Sequence, residues 1–281
     1  MDLKSLPNIW LVRHAQSMFN LWDEWHEERL KDADLTAAEL AFVSSIADKF
    51  DGKLVDPVLS RFGIAQCLAA QALINQLQIR YVLVSPLHRT LETARLLFDK
   101  HPKKTTIEFI VLPIIREVIA NPDDIPVFTL ARQKERYTAL TDLHFNFDLV
   151  EGGDAYFLDT MDGEVQERLG ERLKREGTEH YVDATLDTMR QRWLTNGKHK
   201  KKLESFPNGR RRGHMFAQWV VNDFAKEKGV ALNEIMVVTH SVFLRQLISQ
   251  EFNEYGKGLC TQVKNAEPFL FNLNSIIPLD C

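Results

Sequence analysis

The chain has 281 residues, 44% of them hydrophobic and 26% charged, with 13 glycines and 10 prolines. That composition excludes a disordered, collagen-like or low-complexity chain and supplies apolar material for a sizeable core. Its 35 Lys and Arg against 39 Asp and Glu leave a net charge of -4. No global basic field exists to gather nucleic acid or an anionic membrane, so any anion site must be local.

The opening Met1-Asp2-Leu3-Lys4 has no long apolar region, so no secretory signal is expected. The first continuous apolar run is Ile9-Trp10-Leu11-Val12. Runs of this kind without alternation suit strands buried on both faces of a parallel sheet. Phe62 to Gln78, rich in Ala, Leu and Gln, reads as a helix. Tyr81-Val82-Leu83-Val84 is a second strand, and Leu91, Ala94 and Phe98 mark the helix after it. Another strand is expected within Ile107 to Ile114.

From about 120 to 208 the chain turns polar. It holds Asn121-Pro122-Asp123-Asp124 and Glu151-Gly152-Gly153-Asp154 and ends in the lysine-rich run 198–202. No βα unit stands out, so it reads as a mostly helical insertion over the sheet. Phe216, Trp219, Val220 and Phe224 then mark a helix. Ile235-Met236-Val237-Val238 is a strand, followed by a helix with Leu244, Leu247, Ile248 and Phe252 on one face. A last strand falls within Phe269 to Leu273. No apolar run reaches the roughly 18 residues of a membrane span. Three widely spaced cysteines, Cys67, Cys260 and Cys281, suit neither a disulfide framework nor a metal knuckle, and a reducing cytoplasm is the expected setting.

Three apolar runs end in polar, reactive residues: Arg13-His14, Ser85-Pro86 and Thr239-His240. Ligands of open parallel sheets bind beyond the carboxyl ends of the strands. Arg13, His14, Ser85 and His240 should therefore converge at one edge. Arg89, four residues after Ser85, falls in the first turn of a helix, where an anion also meets free backbone N–H groups. Arginine forks match phosphate oxygens. A histidine beside fixed positive charge is held neutral and nucleophilic. Together these residue types point to phosphoryl transfer through phosphohistidine.

The motifs in order resemble the histidine phosphatase superfamily, also called phosphoglycerate-mutase-like, in its phosphatase branch. Arg13-His14-Ala15-Gln16-Ser17 with Asn20 is similar to its opening motif. Leu59-Ser60-Arg61-Phe62-Gly63-Ile64-Ala65-Gln66 is similar to the second, and Ser85-Pro86-Leu87-His88-Arg89 through Thr93-Ala94 to the third. Glu117 looks like the acid that follows strand three. Thr239-His240-Ser241 before Phe243-Leu244-Arg245 looks like the last motif. The likeness covers roughly residues 8–120 and 209–275. Pattern and resemblance together imply an α/β fold of three layers, α/β/α, with a mostly parallel central sheet. They imply one domain over 1–281, with the cap-like insertion 120–208 within it.

The resemblance implies a phosphoric monoester hydrolase of the histidine acid phosphatase type. His14 would be the nucleophile, Arg13, Arg89 and His240 the phosphate pocket, and Glu117 the proton donor. Gln16, Asn20 and Ser241 would line the pocket. No metal or other cofactor is expected. The implied partners are a small phosphomonoester and the inorganic phosphate product, with neither nucleic acid nor membrane. Ala15 stands for the commoner Gly after His14, and Ser241 for the usual Gly after His240.

Blander readings compete at several positions. Asp123 and Asp124 are alternative acids to Glu117. His88 reads as structural, Ser60 and Gly63 as a helix start, and Gln16 otherwise as a helix cap. The lysine-rich run 198–202 and Arg210-Arg211-Arg212 read as solvated faces, or, for the arginines, as a mouth that meets a multiply charged substrate. There is no Walker A loop, dinucleotide fingerprint or nucleophile elbow. Rival functions are a phosphoglycerate mutase or fructose-2,6-bisphosphatase-like enzyme, and a non-catalytic phospho-ligand scaffold. Arg116-Glu117-Val118-Ile119 lacks the Glu-Arg-His-Tyr-Gly segment of cofactor-dependent mutases.

Overall fold

The computed structural model describes residues 8–127, 129–150, 156–196, 202–260 and 263–276. The N-terminal Met1-Asp2-Leu3-Lys4, the acidic stretch Glu151-Gly152-Gly153-Asp154, residues 198–201 of the lysine-rich run and Cys281 lie outside the described residues.

Four parallel strands form the centre of the sheet: β1 (Asn8–Arg13), β2 (Tyr81–Val84), β3 (Glu108–Val111) and β5 (Ile235–Thr239). β4 (Phe145–Asn146) extends one edge in parallel, and β6 (Phe269–Asn272) closes the other in antiparallel sense. The order is β4-β3-β2-β5-β1-β6. Register aligns Val12, Val238, Val84 and Val111 in one row across four strands. One residue further lie Arg13, Thr239 and Ser85, and one beyond that His14 and His240. The motif residues thus meet because strand pairing fixes their level.

Alternate residues of each strand feed two cores, which is why the runs show no alternation. Val12, Val82, Val84, Met236 and Val238 face α3 (Arg61–Ile74) and α4 (His88–Phe98). Ile9, Leu11, Leu83, Ile235 and Val237 face α8 (Phe206–Trp219) and α10 (Ser241–Ile248). A π turn over Val220–Phe224 and the short α9 (Ala225–Lys228) continue α8 to Gly229, whose φ of 59° ends it. The layers are α/β/α, as expected. A third cluster joins α1 (Met18–His26) and α2 (Ala37–Ser44) through Phe19, Trp22, Val43 and Leu54.

The insertion supplies α5 (Leu130–Leu140), α6 (Gly163–Glu176) and α7 (Tyr181–Asn196). Tyr137, Phe147, Phe157, Leu169 and Tyr181 are buried in the same cluster as Val84 and Val111. Two expectations need correction. The insertion does contain a βα continuation: α5 leads from β3 to β4, whose two residues are too few to show a strand pattern. The helix after β5 stops at Ile248, short of Phe252. Phe252 instead bridges to Gly258, where the chain folds back on the helix end and Ser249 Oγ accepts from Cys260 N at 3.0 Å. Among the described residues no helix is long and apolar enough to cross a membrane.

Candidate active site

His14 follows β1, held by its backbone N–H donating to Thr239 O at 2.8 Å and by Asn265 Nδ2 donating to its carbonyl at 2.7 Å. Its ring is buried, with Nδ1 2.7 Å from Ala15 O. A carbonyl only accepts, so Nδ1 carries the proton and Nε2 presents a lone pair. Arg89 Nε donates to that lone pair at 3.3 Å. Burial, then the charges of Arg89 and Arg13, hold the His14 pKa well below its ordinary value. The His240 ring lies 5.1 Å away, centroid to centroid, with Nε2 2.7 Å from Ser85 Oγ. Burial and the same arginine hold His240 neutral as well. Its Nδ1 has no hydrogen-bond partner among the described residues.

Arg89 is fully buried and anchored on the loop after β3. Nη1 donates to the Asp123 carbonyl, and Nη2 to Asp124 Oδ1 at 3.0 Å. Asp123 Oδ2 lies 3.5 Å from Nη2. Asp124 Oδ2 is itself fixed by the N–H groups of Ala120 and Asn121, at 3.0 and 2.9 Å. Asp124 is thus an acceptor at both oxygens. Burial raises its pKa, while Arg89 and the two N–H groups oppose that rise.

Glu117 is buried at the start of α10. Oε1 accepts from Val118 N and Phe243 N at 2.9 and 2.8 Å, and Oε2 from Val242 N at 3.0 Å. Its pKa is pushed up to about 7, by burial first and by Asp124 next, against Arg89 and the backbone donors. Arg13 feels the fields of Glu117, Arg245 and Arg89. Its Nη1 donates to Val263 O at 3.2 Å, and its buried Nε has no acceptor among the described residues.

The structure therefore brings Arg13, His14, Arg89, Glu117 and His240 to one edge. Ser241 is the first residue of α10 and half-buried there. Gln16 and Asn20 have local duties. Gln16 Oε1 accepts from Ser60 Oγ at 2.6 Å, and Nε2 donates to Glu24 Oε2 at 2.7 Å. Asn20 closes the capping box of α1 with Ser17. Ser60 caps α3, as read from sequence. His88 packs edge-on to Tyr137, and burial first, with Arg136 and Arg95, lowers its pKa to about 4.

The free N–H groups expected before Arg89 are a correction. Asp56 Oδ1 already accepts from His88 N at 2.8 Å, filling that helix start with a carboxylate. Asp56 has φ 39° and, mainly through burial, a pKa raised to about 7. Of the three arginines read as a solvated face or, alternatively, a pocket mouth, Arg212 is buried. It forms a two-pronged bond with Glu204, at 2.7 and 3.0 Å, and donates to the carbonyls of Ile114, Arg116 and Glu117. Arg210 lies over the Phe252 ring at 4.0 Å, and Arg211 bonds Asn208. Arg116 is fully buried between the Asp124 carbonyl and Phe157 O and Thr160 of the insertion. Burial drops its pKa to about 10. Sequence reading missed Asp56, Arg116 and the Glu204–Arg212 pair. Asn121-Pro122-Asp123-Asp124 stood out as a polar stretch carrying two alternative acids, but its hold on Arg89 did not.

Residues 47–121 match the family model of the histidine phosphatase superfamily (branch 1). That span takes in the second and third motifs and Glu117; His14 and His240 lie outside it. The resemblance read from the motifs is thereby supported from a second direction: the chain is similar to this superfamily. Solved structures with a similar chain course include the ecdysone phosphate phosphatase of Bombix mori, at 14% identity and TM-score 0.47, covering 94% of this chain and 88% of that one. The alpha-ribazole phosphatase of Shigella flexneri shows 15% identity and TM-score 0.44, covering 94% and 89%. The phosphoglycerate mutase of Bacillus anthracis str. Sterne shows 14% and 0.44, covering 97% and 92%. No curated protein matches the chain.

Proposed function

We propose that the protein hydrolyses a small phosphomonoester through a phosphohistidine on His14. The observation that carries this reading is the fixed neutral tautomer of His14, with its Nε2 lone pair aimed at the Arg89 guanidinium. A phosphate oxygen that takes the Arg89 Nε–H sets phosphorus in front of that nitrogen. Arg13 and Arg89 carry the dianion's charge and the neutral His240 offers it one N–H, so catalysis is positioning plus electrostatics. The bond from His14 Nε2 to phosphorus forms as the ester P–O bond breaks. Glu117, protonated below about pH 7, gives its proton to the departing alkoxide. As carboxylate it then takes a proton from the water that attacks phosphohistidine, releasing inorganic phosphate. Asp124 is paired directly with the buried Arg89 at 3.0 Å, whereas Glu117 accepts only from backbone N–H groups, so Asp124 suits a charged clamp on Arg89 better than a proton donor. The insertion reaches the loops at the strand ends through Gln133, Tyr137 and Thr160. This fits its reading as a cap within a single domain that selects the ester's organic part.

The test is turnover of p-nitrophenyl phosphate by the wild type and by His14→Ala. Loss of the nucleophile should lower kcat at least about a thousandfold with the melting temperature kept. Retention of a tenth of wild-type turnover would sink the assignment. EDTA should leave the wild-type rate unchanged, since the arginines do the work of a metal; loss restored by Mg²⁺ or Zn²⁺ would contradict that.

A further inference from the structure

Arg212 of α8 lies 95 residues beyond Glu117 in the chain, yet its N–H groups converge on the loop that carries it. The residue is 4% exposed and its partner Glu204 0%. Nε donates to Glu204 Oε1 at 2.7 Å. Nη2 donates to Glu204 Oε2 at 3.0 Å and to the Glu117 carbonyl at 3.4 Å. Nη1 donates to the carbonyls of Ile114 and Arg116, at 2.6 and 3.0 Å. A guanidinium has five N–H donors in a rigid fork, and these contacts engage all of them. The carbonyl that Arg212 skips, Ile115 O, accepts from Thr239 Oγ1 at 2.5 Å. Each carbonyl from Ile114 to Glu117 is therefore fixed by a side chain. The hold continues beyond Glu117. Glu204 Oε2 accepts from Ile119 N at 3.3 Å, and Ile119 O accepts from Leu203 N and Glu204 N at 3.0 and 3.3 Å. A Cβ at Gly209, one turn before Arg212, would stand 2.5 Å from Val118 Cγ2, so α8 lies directly on this loop. The Arg212 guanidinium also lies 5.2 Å from the centroid of the Phe243 ring. Phe243 N is one of the donors that seat the Glu117 carboxylate.

We propose that Arg212, oriented by Glu204, is the positioning residue of the proton donor: it sets where the Glu117 carboxyl stands relative to the leaving oxygen. It offers no group to the substrate, since all five donors are engaged. The inference rests on the role proposed for Glu117 above. A buried pair of this kind often adds no net stability over apolar residues of the same volume, because burying two charges offsets their attraction. Five directed bonds supply what apolar packing does not, a backbone fixed in one place. An acid gives up its proton only within hydrogen-bond reach of the leaving oxygen, about 2.6–3.2 Å. A displacement of about 1 Å can cost about a hundredfold in rate. Arg212 touches both the backbone that carries Glu117 and the residue that seats its carboxylate, so loosening it moves the acid at both ends.

Single-turnover phosphorylation of the full chain by an alkyl phosphate and by p-nitrophenyl phosphate tests this. Arg212→Lys keeps the charge, but one ammonium cannot reach Glu204 and three carbonyls together. The alkyl ester should react about thirtyfold more slowly or worse and the aryl ester less than about threefold, because only the alkoxide needs the proton. KM for both should stay within about threefold. On a Glu117→Gln background, Arg212→Lys should slow the alkyl ester less than about threefold further, since the acid it positions is already disabled. If Arg212→Lys does not fold, Glu204→Gln combined with Arg212→Met removes both charges, leaves Ile119 N an amide oxygen and carries the same expectations. Equal slowing of both esters, or losses that multiply on the Glu117→Gln background, would overturn the proposal and leave the pair a scaffold. A wild type that forms no phosphohistidine would overturn the underlying reading of the site instead. A wild type that forms it, with Glu117→Gln equally slow on both esters, would remove Glu117 as the donor and this proposal with it.

Discussion

A carbonyl oxygen has no proton to give, so the contact of Ala15 O with His14 Nδ1 decides which nitrogen can attack. Glu117 is the complementary group, a carboxyl kept protonated close to neutrality by burial. A general acid works in its protonated form. Turnover of an alkyl phosphate should therefore hold below about pH 7 and fall about tenfold per unit above it. Glu117→Gln should slow the alkyl ester far more than p-nitrophenyl phosphate, whose leaving group departs without a proton. Equal losses in phosphorylation rate would assign Glu117 a binding or folding role instead. Asp124→Asn tests the neighbouring clamp. Asp124 repels the ionised form of Glu117, so its neutralisation lowers the Glu117 pKa and moves the alkaline limb to lower pH. The loosened Arg89 should also raise KM about tenfold. A pH–rate profile for the alkyl ester reads both, and a fall in rate with the limb unmoved would limit Asp124 to a structural part.

At the scale of elements, the active edge depends on close packing between α3 and the loop carrying His14. Gly63→Ala would drive a methyl group into the Gln16 backbone, and backbone cannot swing aside as a side chain can. It should cost about 2 kcal/mol or more, a drop of roughly 3–4 °C or more in melting temperature, with lower turnover because His14 moves with its loop. Unchanged melting and turnover would show that the loop yields freely. The strands were legible because each is buried on both faces: Val12, Val84 and Val238 enter one core, and Leu11, Leu83 and Val237 the other. β4 was not, because two residues carry no period. The helix read after the first strand is present as α1, capped by Ser17 rather than Gln16; α2 went unread, and its residues join α1 in a small separate cluster.

For the whole molecule, the candidate site was legible to the extent that it sits on strand ends. Register carries Arg13 and Ser85 to one level, and His14 and His240 to the next, over more than two hundred residues of chain. Their supports were illegible for the opposite reason. Asp56 under His88, Asp124 on Arg89, and Arg212 spanning Glu204 and the loop of Glu117 are pairings set by tertiary approach, with no local spacing to announce them. The most direct test of phosphoryl transfer through His14 is to trap it. The protein is mixed with p-nitrophenyl phosphate, quenched in alkali, where phosphohistidine survives, and digested for mass spectrometry. The peptide containing His14 should gain one phosphoryl group within the first turnover, and the same peptide from His14→Ala should gain none. A phosphoryl group on any other residue, or turnover with none trapped on His14, would contradict the mechanism.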